Sequence, residues 1–230
     1  MAEEIRIIIA ICMFAVAAFF DVKERKIHDI VWLIFGGTGA ILYAVALPDV
    51  IDIVSMAVGV ILASTFWFFR LYAGADALAL ISLSVIFPTY NDFIIPLSMV
   101  VISTTISIIY GIIYNVAVNS RTFLFDNKIF EEFDEPLYRR IIAFFLIHKR
   151  SKSEKFAFPA ERIVSGRRKF RFHYDPDGKF SKDDVYVSLA MPLTLFFLIG
   201  LVGLVLVIIS ANISLELMSL LKYNIIIKII

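Results

Sequence analysis

The sequence predicts an all-α polytopic membrane protein with six transmembrane helices and a small mixed α+β domain on the cytoplasmic side. Three observations predict it. First, 60% of the 230 residues are hydrophobic and mean hydropathy is +0.86, too apolar for an ordinary water-soluble domain. Second, the apolar residues gather in six windows of bilayer-crossing length. Third, charge is concentrated in one segment, because 117–185 holds 15 of the 22 Lys and Arg and 11 of the 21 acidic residues.

The windows run over 5–21, 30–48, 50–69, 72–88, 94–116 and 186–209, each close to the roughly 17–25 residues that span a bilayer as a helix. Helices are expected because an open strand leaves its backbone unpaired in hydrocarbon. The first window follows Met-Ala-Glu-Glu, acidic where a secretory leader is basic, so it reads as a retained helix. Charged or Pro-containing breaks separate the windows: 21–29, Pro48-Asp49, Arg70-Leu71 and 88–92. Residues 1–116 thus carry five helices, 117–185 a soluble domain, and 186–230 the sixth helix and a tail. The apolar tail after Ile209, with Lys222 and Lys228, either extends that helix or lies along the interface.

Six crossings put 22–29, 70–71 and 117–185 on one side, where they carry 3, 1 and 15 Lys and Arg. The opposite connections carry none and contain Asp49, Asp52 and Asp92. The positive-inside bias therefore predicts a multi-pass protein of the cytoplasmic membrane, with its N-terminus outside and the large loop in the cytoplasm.

Within that loop, 135–149 has helical periodicity, 169–174 alternates as a strand, and Asp175-Pro176-Asp177-Gly178 has turn chemistry. Its basic charge fits contact with membrane lipids; no nucleic-acid partner is expected, because stacking aromatics are not interleaved with the basic residues. Small residues four apart, Gly36 with Ala40 and Gly59 with Ala63, predict close helix packing. Cys12 alone makes no disulfide framework, and His28, His148 and His173 lack metal-ligand spacing and read as interfacial or surface groups. No cofactor or metal is expected.

Two acids stand out. A carboxylate at the centre of an inserting helix costs about 2.5–3.5 kcal/mol, so one inside a crossing calls for a purpose. Asp76 lies about one turn into the fourth window, in Ala73-Gly74-Ala75-Asp76-Ala77, where small neighbours let another backbone approach; a helix-start carboxylate favoured by the dipole is the plainer reading. Asp21 closes the first window and, alone, reads as a boundary charge. Crossing parity puts both at one membrane face and similar depth. Two carboxylates that meet there share a proton, so that one activates water while the other donates to a scissile carbonyl. That is the chemistry of an aspartic endopeptidase.

These residues resemble the type IV prepilin peptidase family of intramembrane Gly-x-Gly-Asp aspartyl proteases, and within it the archaeal preflagellin peptidases. Asp21-Val22-Lys23-Glu24-Arg25-Lys26-Ile27 resembles the family's first-Asp segment; His28-Asp29 stands where bacterial members commonly have Pro-Asn. In the second motif Ala73 and Ala75 replace both glycines, and Leu78 stands where many members carry Lys. The resemblance covers about the first 210 residues. It implies Asp21 and Asp76 as the catalytic pair, with Lys23, Arg25, Ala73, Gly74 and Ala75 shaping the site. It further implies preflagellin or prepilin-like precursors as substrates, cut on the cytoplasmic side between a short basic leader and an apolar helix. Glu131, Glu132, Asp134 and Glu135 either receive that leader or form a solvated helix face. Two other classes stay open: a proton- or cation-coupled transporter using the same acids, and a noncatalytic scaffold. Oligomeric state is not legible.

Overall fold

Backbone groups away from water must be paired within the chain, and a helix pairs them locally. In the computed structural model the chain is mostly helical: α1 (Ala2–Glu24), α2 (Asp29–Ala46), α3 (Val50–Phe68), α4 (Gly74–Ile86), α5 (Ile95–Phe125), α6 (Leu137–Leu146) and α7 (Leu193–Ile229). The structure describes residues 2–46, 48–91, 93–125, 129–149, 156–164, 166–172 and 186–229. Asp92, His173, the end of the strand expected over 169–174, and the Asp175-Pro176-Asp177-Gly178 turn lie outside them.

Among the described residues four helices have the length and apolarity to cross a membrane, over Glu3–Glu24, Val50–Phe68, Ile95–Thr122 and Leu193–Ser214. The expected second and fourth crossings are shorter apolar helices, Asp29–Val45 and Gly74–Ile86. The sixth window needs correction at its start. Tyr186–Leu189 is a strand, β7, and the helix begins at Leu193, just past Pro192. An apolar run of four residues cannot be told from a helix start by periodicity alone. At the other end α7 continues past Ile209 without a break.

The chain divides into two compact units, 1–104 with 192–230, and 105–191, so the second takes in the later turns of α5 as well as the charged loop. In the first unit α4 packs along α2 and α3, and α1 packs along α7. α4 also touches α1 and α7, and it buries Ala77, Ala79, Leu80, Ser82, Leu83, Ser84 and Ile86. Small residues permit this. A Cβ on Gly39 would lie 2.7 Å from Ile86 Cγ1 and 3.0 Å from Ile86 Cα, and one on Gly59 would press against Ser84 and Pro96. The expected pair Gly36 and Ala40 is corrected: Gly36 and Gly39 meet α4, while Ala40 is exposed. Asp49 and Asp52 have structural partners. Asp49 caps α3 by accepting from Asp52 N–H at 2.9 Å, and Asp52 accepts from Thr89 in the β1–β2 hairpin (Thr89–Tyr90, Phe93–Ile94).

In the second unit β7 is the centre of an antiparallel sheet between β3 (His148–Lys149) and β4 (Ala157–Pro159), and β5 (Glu161–Val164) pairs with β6 (Arg167–Phe170). Phe133 stacks on Phe170 at 4.2 Å, with Phe130 edge-on to Phe170. Two asparagines on α5 satisfy the carbonyls that end α6, which its own helix leaves unpaired. Asn115 donates to Phe145 O at 3.0 Å; Asn119 donates to Phe144 O at 2.8 Å and Ile147 O at 2.7 Å. Asn115 Oδ1 then faces His148 Nδ1 at 2.7 Å, and since the amide nitrogen is already donating, His148 is the donor. His148 is 1% exposed, so the expectation of a surface histidine fails there: a ready-made acceptor made burial affordable.

Two predictions follow from this packing. Gly39→Ala should destabilise the chain by about 1–3 kcal/mol, because Ile86 backbone cannot retreat cheaply. Gly37→Ala on the same helix, with nothing within 4 Å, should be neutral or stabilising; equal unfolding midpoints in detergent would contradict the contact. Asn119→Ala should cost about 1–3 kcal/mol by orphaning two carbonyls, with faster hydrogen exchange in the last turn of α6 as the readout.

Candidate functional site

Asp21 sits in the last turn of α1 and is half-buried. It reaches the opposite end of the chain. Thr194, the second residue of α7, donates its N–H to Asp21 Oδ2 at 3.3 Å and its hydroxyl to the same oxygen at 2.8 Å. A helix start has N–H groups with no intrahelical acceptor and a positive dipole end, so a carboxylate there is favoured twice. The other oxygen, Oδ1, lies 3.7 Å from Arg25 Nη1. Arg25 adopts φ 54°, a left-handed conformation uncommon outside glycine, and its N–H donates to Asp21 O at 3.1 Å. This turn brings its side chain back toward the carboxylate four residues earlier.

Asp76 is the third residue of α4 and accepts from Ala73 N–H at 3.2 Å. That is the half of a capping box in which the acid reaches back to the residue before the helix. The approach is set by Arg70, also at positive φ (57°), and by Tyr72, whose buried ring packs against Phe66 at 4.9 Å and Phe197 at 5.8 Å. Tyr72 and Phe197 thereby place the start of α4 beside the start of α7.

α1, with Asp21 in its last turn, touches α4, with Asp76 in its first. No hydrogen bond joins the two carboxylates. Of the other residues expected to shape the site, Arg25 pairs with Asp21, and Ala73, Gly74 and Ala75 form the entry to α4, with Ala73 and Gly74 exposed and open space around Gly74. Lys23 lies apart: it is exposed, 3.6 Å from Glu24, with its ammonium over the Phe19 ring. Thr194 was missed by sequence reasoning. Pro192-Leu193-Thr194 carries a helix-start signal, but the apolar window 186–209 reads as one continuous crossing.

The acids considered for leader docking are not a helix face. Glu131, Glu132 and Asp134 precede α6 in a turn region, and arginines of the same unit meet Glu132 and Asp134. Arg168 reaches Glu132 and Arg167 reaches Asp134, both at 2.7 Å, and the Arg167 hydrogen bond holds the Asp134 carboxyl below its usual range. Glu135 is 9% exposed; it takes both oxygens to Arg139 at 2.8 Å and accepts from Phe170 N–H at 3.2 Å. Among the described residues no group of three or more His, Cys, Asp or Glu is arranged to hold a metal ion.

Thr194→Val keeps the shape and the backbone N–H but removes the hydroxyl donor. It should lower stability in detergent by about 1.5–3 kcal/mol, as expected for a hydrogen bond to a charged group, and Thr194→Ser should retain most of it. A Val variant that melts with the wild type would show that the hydroxyl does not hold Asp21.

Compared with known proteins, the sequence matches no family model and no curated relative, and the fold matches no solved structure, at a significant level.

Proposed function

We propose that the chain is an intramembrane aspartyl endopeptidase of the prepilin and preflagellin peptidase type. It crosses the cytoplasmic membrane six times with the N-terminus outside, and it removes a short basic leader from precursors at the cytoplasmic face. One observation carries the reading: two carboxylates from different helices, Asp21 in the last turn of α1 and Asp76 in the first turn of α4, lie on helices that touch.

α2 and α4 count as crossings in this reading despite their lengths. Thirteen residues of α4 span about 20 Å against about 30 Å of hydrocarbon, but α4 is surrounded by α1, α2, α3 and α7. A helix enclosed by others can end inside the membrane, provided its terminal groups are paired by protein. Asp76 and Ala73 supply such pairing at the start of α4.

The donors around each acid divide the roles. Asp21 faces the Thr194 hydroxyl, an N–H and the Arg25 guanidinium, all of which favour a carboxylate; Asp76 has one backbone N–H. Asp21 is therefore the base that takes a proton from water. The resulting oxygen nucleophile attacks the scissile carbonyl carbon as Asp76 gives its proton to the carbonyl oxygen. As the tetrahedral intermediate collapses, one of its hydroxyls returns a proton to Asp76 and re-forms the carbonyl, the C–N bond breaks, and the proton held by Asp21 passes to the leaving amine. Because the resting carboxylates share no hydrogen bond, the substrate and water complete the arrangement.

Purified full-length protein mixed with a precursor bearing a basic leader and an apolar helix should cut it. Asp21→Asn and Asp76→Asn should each lower the rate by about 10²–10⁴-fold while remaining folded at the assay temperature. Wild-type cleavage by either variant would refute the pair. An intact precursor alongside acid-dependent ion flux in vesicles would instead assign the acids to transport.

A further inference from the structure

In the second unit α6 is built inside out for a helix on a water-washed surface. Its exposed residues are Leu137, Tyr138, Ile141, Ile142, Phe145 and Leu146, spaced as one helix face and with no charge among them. The two charged residues of the helix lie on the other side and are committed there. Arg139 takes both oxygens of Glu135 at 2.8 Å, and Arg140 donates to the carbonyls of Glu135 at 3.0 Å and Phe133 at 2.9 Å. Ala143, on that inner side, is fully buried. Water selects the reverse arrangement, charges outward and apolar residues inward, so the open face of α6 is made for an apolar medium.

The helix to which α6 is fastened says which medium. Asn115 and Asn119 of α5 hold the carbonyls of Phe144, Phe145 and Ile147 at the end of α6. Both asparagines belong to Ile95–Thr122, a 28-residue segment apolar enough to cross a membrane. At 1.5 Å per residue it is about 42 Å long, enough to span roughly 30 Å of hydrocarbon and enter the headgroups on either side. Asn119 and Asn115 lie about 5 and 10 Å before its end, so the end of α6 is held where headgroups meet acyl chains. One or two turns earlier α5 leaves Ile109 and Ile113 exposed, so α6 is tied to a helix whose own open surface suits lipid.

We propose that α6 is an in-plane membrane anchor: it lies in the headgroup region of the leaflet in which α5 ends, its open face toward the acyl chains. Tyr138, an amphipathic ring on that face, suits the same level. The partner is the phospholipid surface itself, and the contact is apolar. The basic charge of the domain is not what holds it, because both arginines of α6 are used within the domain. The anchor depends on the chain being a membrane protein and not on its being a peptidase.

The test uses the full-length protein in phosphatidylcholine nanodiscs, carrying Cys12→Ala and one nitroxide label at Tyr138→Cys or Ile141→Cys. Relaxation of the label by oxygen and by a water-soluble nickel complex reads its depth. Both labels should lie about 5–10 Å below the phosphates. They should stay there at about 1 M salt, where screening confines charge attraction to about 3 Å. Adding Ile142→Glu should lift the Tyr138 label into water. Labels that the nickel complex reaches as freely as it does in solution overturn the anchor. Depth lost at high salt also overturns it and assigns the contact to charge. Coupling between labels that vanishes on dilution with unlabelled protein, without depth, overturns it in favour of a second copy of the chain. The two label depths decide the matter even if Ile142→Glu fails to fold.

Discussion

The first turn of α7 contains N–H groups that no carbonyl of its own helix can reach. The partner is a carboxylate 173 positions earlier, Asp21 at the end of α1. This bond joins the first and last helices of the first unit, whose interface continues inward as Phe14 packs edge-on against Phe197 at 5.6 Å. It also fixes the level of Asp21, since a carboxylate held by Thr194 cannot ride up or down with the end of α1. The plain structural role and the proposed chemical one are therefore a single arrangement. Oδ2 is occupied by α7 and Oδ1 faces Arg25, so this acid is oriented before any substrate arrives.

Asp76 depends on that frame from the other side. Tyr72 packs on Phe197, a residue one turn beyond Thr194, so the entry to α4 and the entry to α7 are located by the same aromatic cluster. The two acids thus occupy related positions, each beside a helix start and each accepting from a backbone N–H. Helix starts are natural places to keep a negative charge at the edge of an apolar core, because the positive end of the dipole offsets part of the desolvation.

What the sequence made legible follows from which forces are local. The apolar windows and their polar breaks marked α1 to α5, since a helix in hydrocarbon is written directly in hydropathy. The strand at Tyr186–Leu189 was hidden because four apolar residues joined to a longer apolar run have no period of their own; only pairing with His148–Lys149 and Ala157–Pro159 makes them a strand. His148 and Glu135 looked like surface groups because their partners, Asn115 and Arg139, become visible only when the unit is folded. Asp21 and Asp76 could be singled out by the expense of an acid in an apolar segment. Thr194 could not, since a hydroxyl at a helix start is ordinary until its acceptor is known.

The alanines at 73 and 75, where the resembling family has glycine, can be judged on the backbone. Ala73 adopts φ −70° and ψ 162°, an extended conformation open to any residue, so no glycine is demanded there. Ala75 lies inside α4, where alanine is favoured over glycine by about 1 kcal/mol. The position between them, Gly74, has nothing within 4 Å of a would-be Cβ and lies exposed at the mouth of the motif. The steric requirement at this helix start is thus for little bulk and not for special dihedral angles. Three consecutive residues with at most a methyl group meet it and leave room for an extended chain beside Asp76. Replacing the outer glycines by alanine stiffens the turn that presents Asp76 and keeps that approach open.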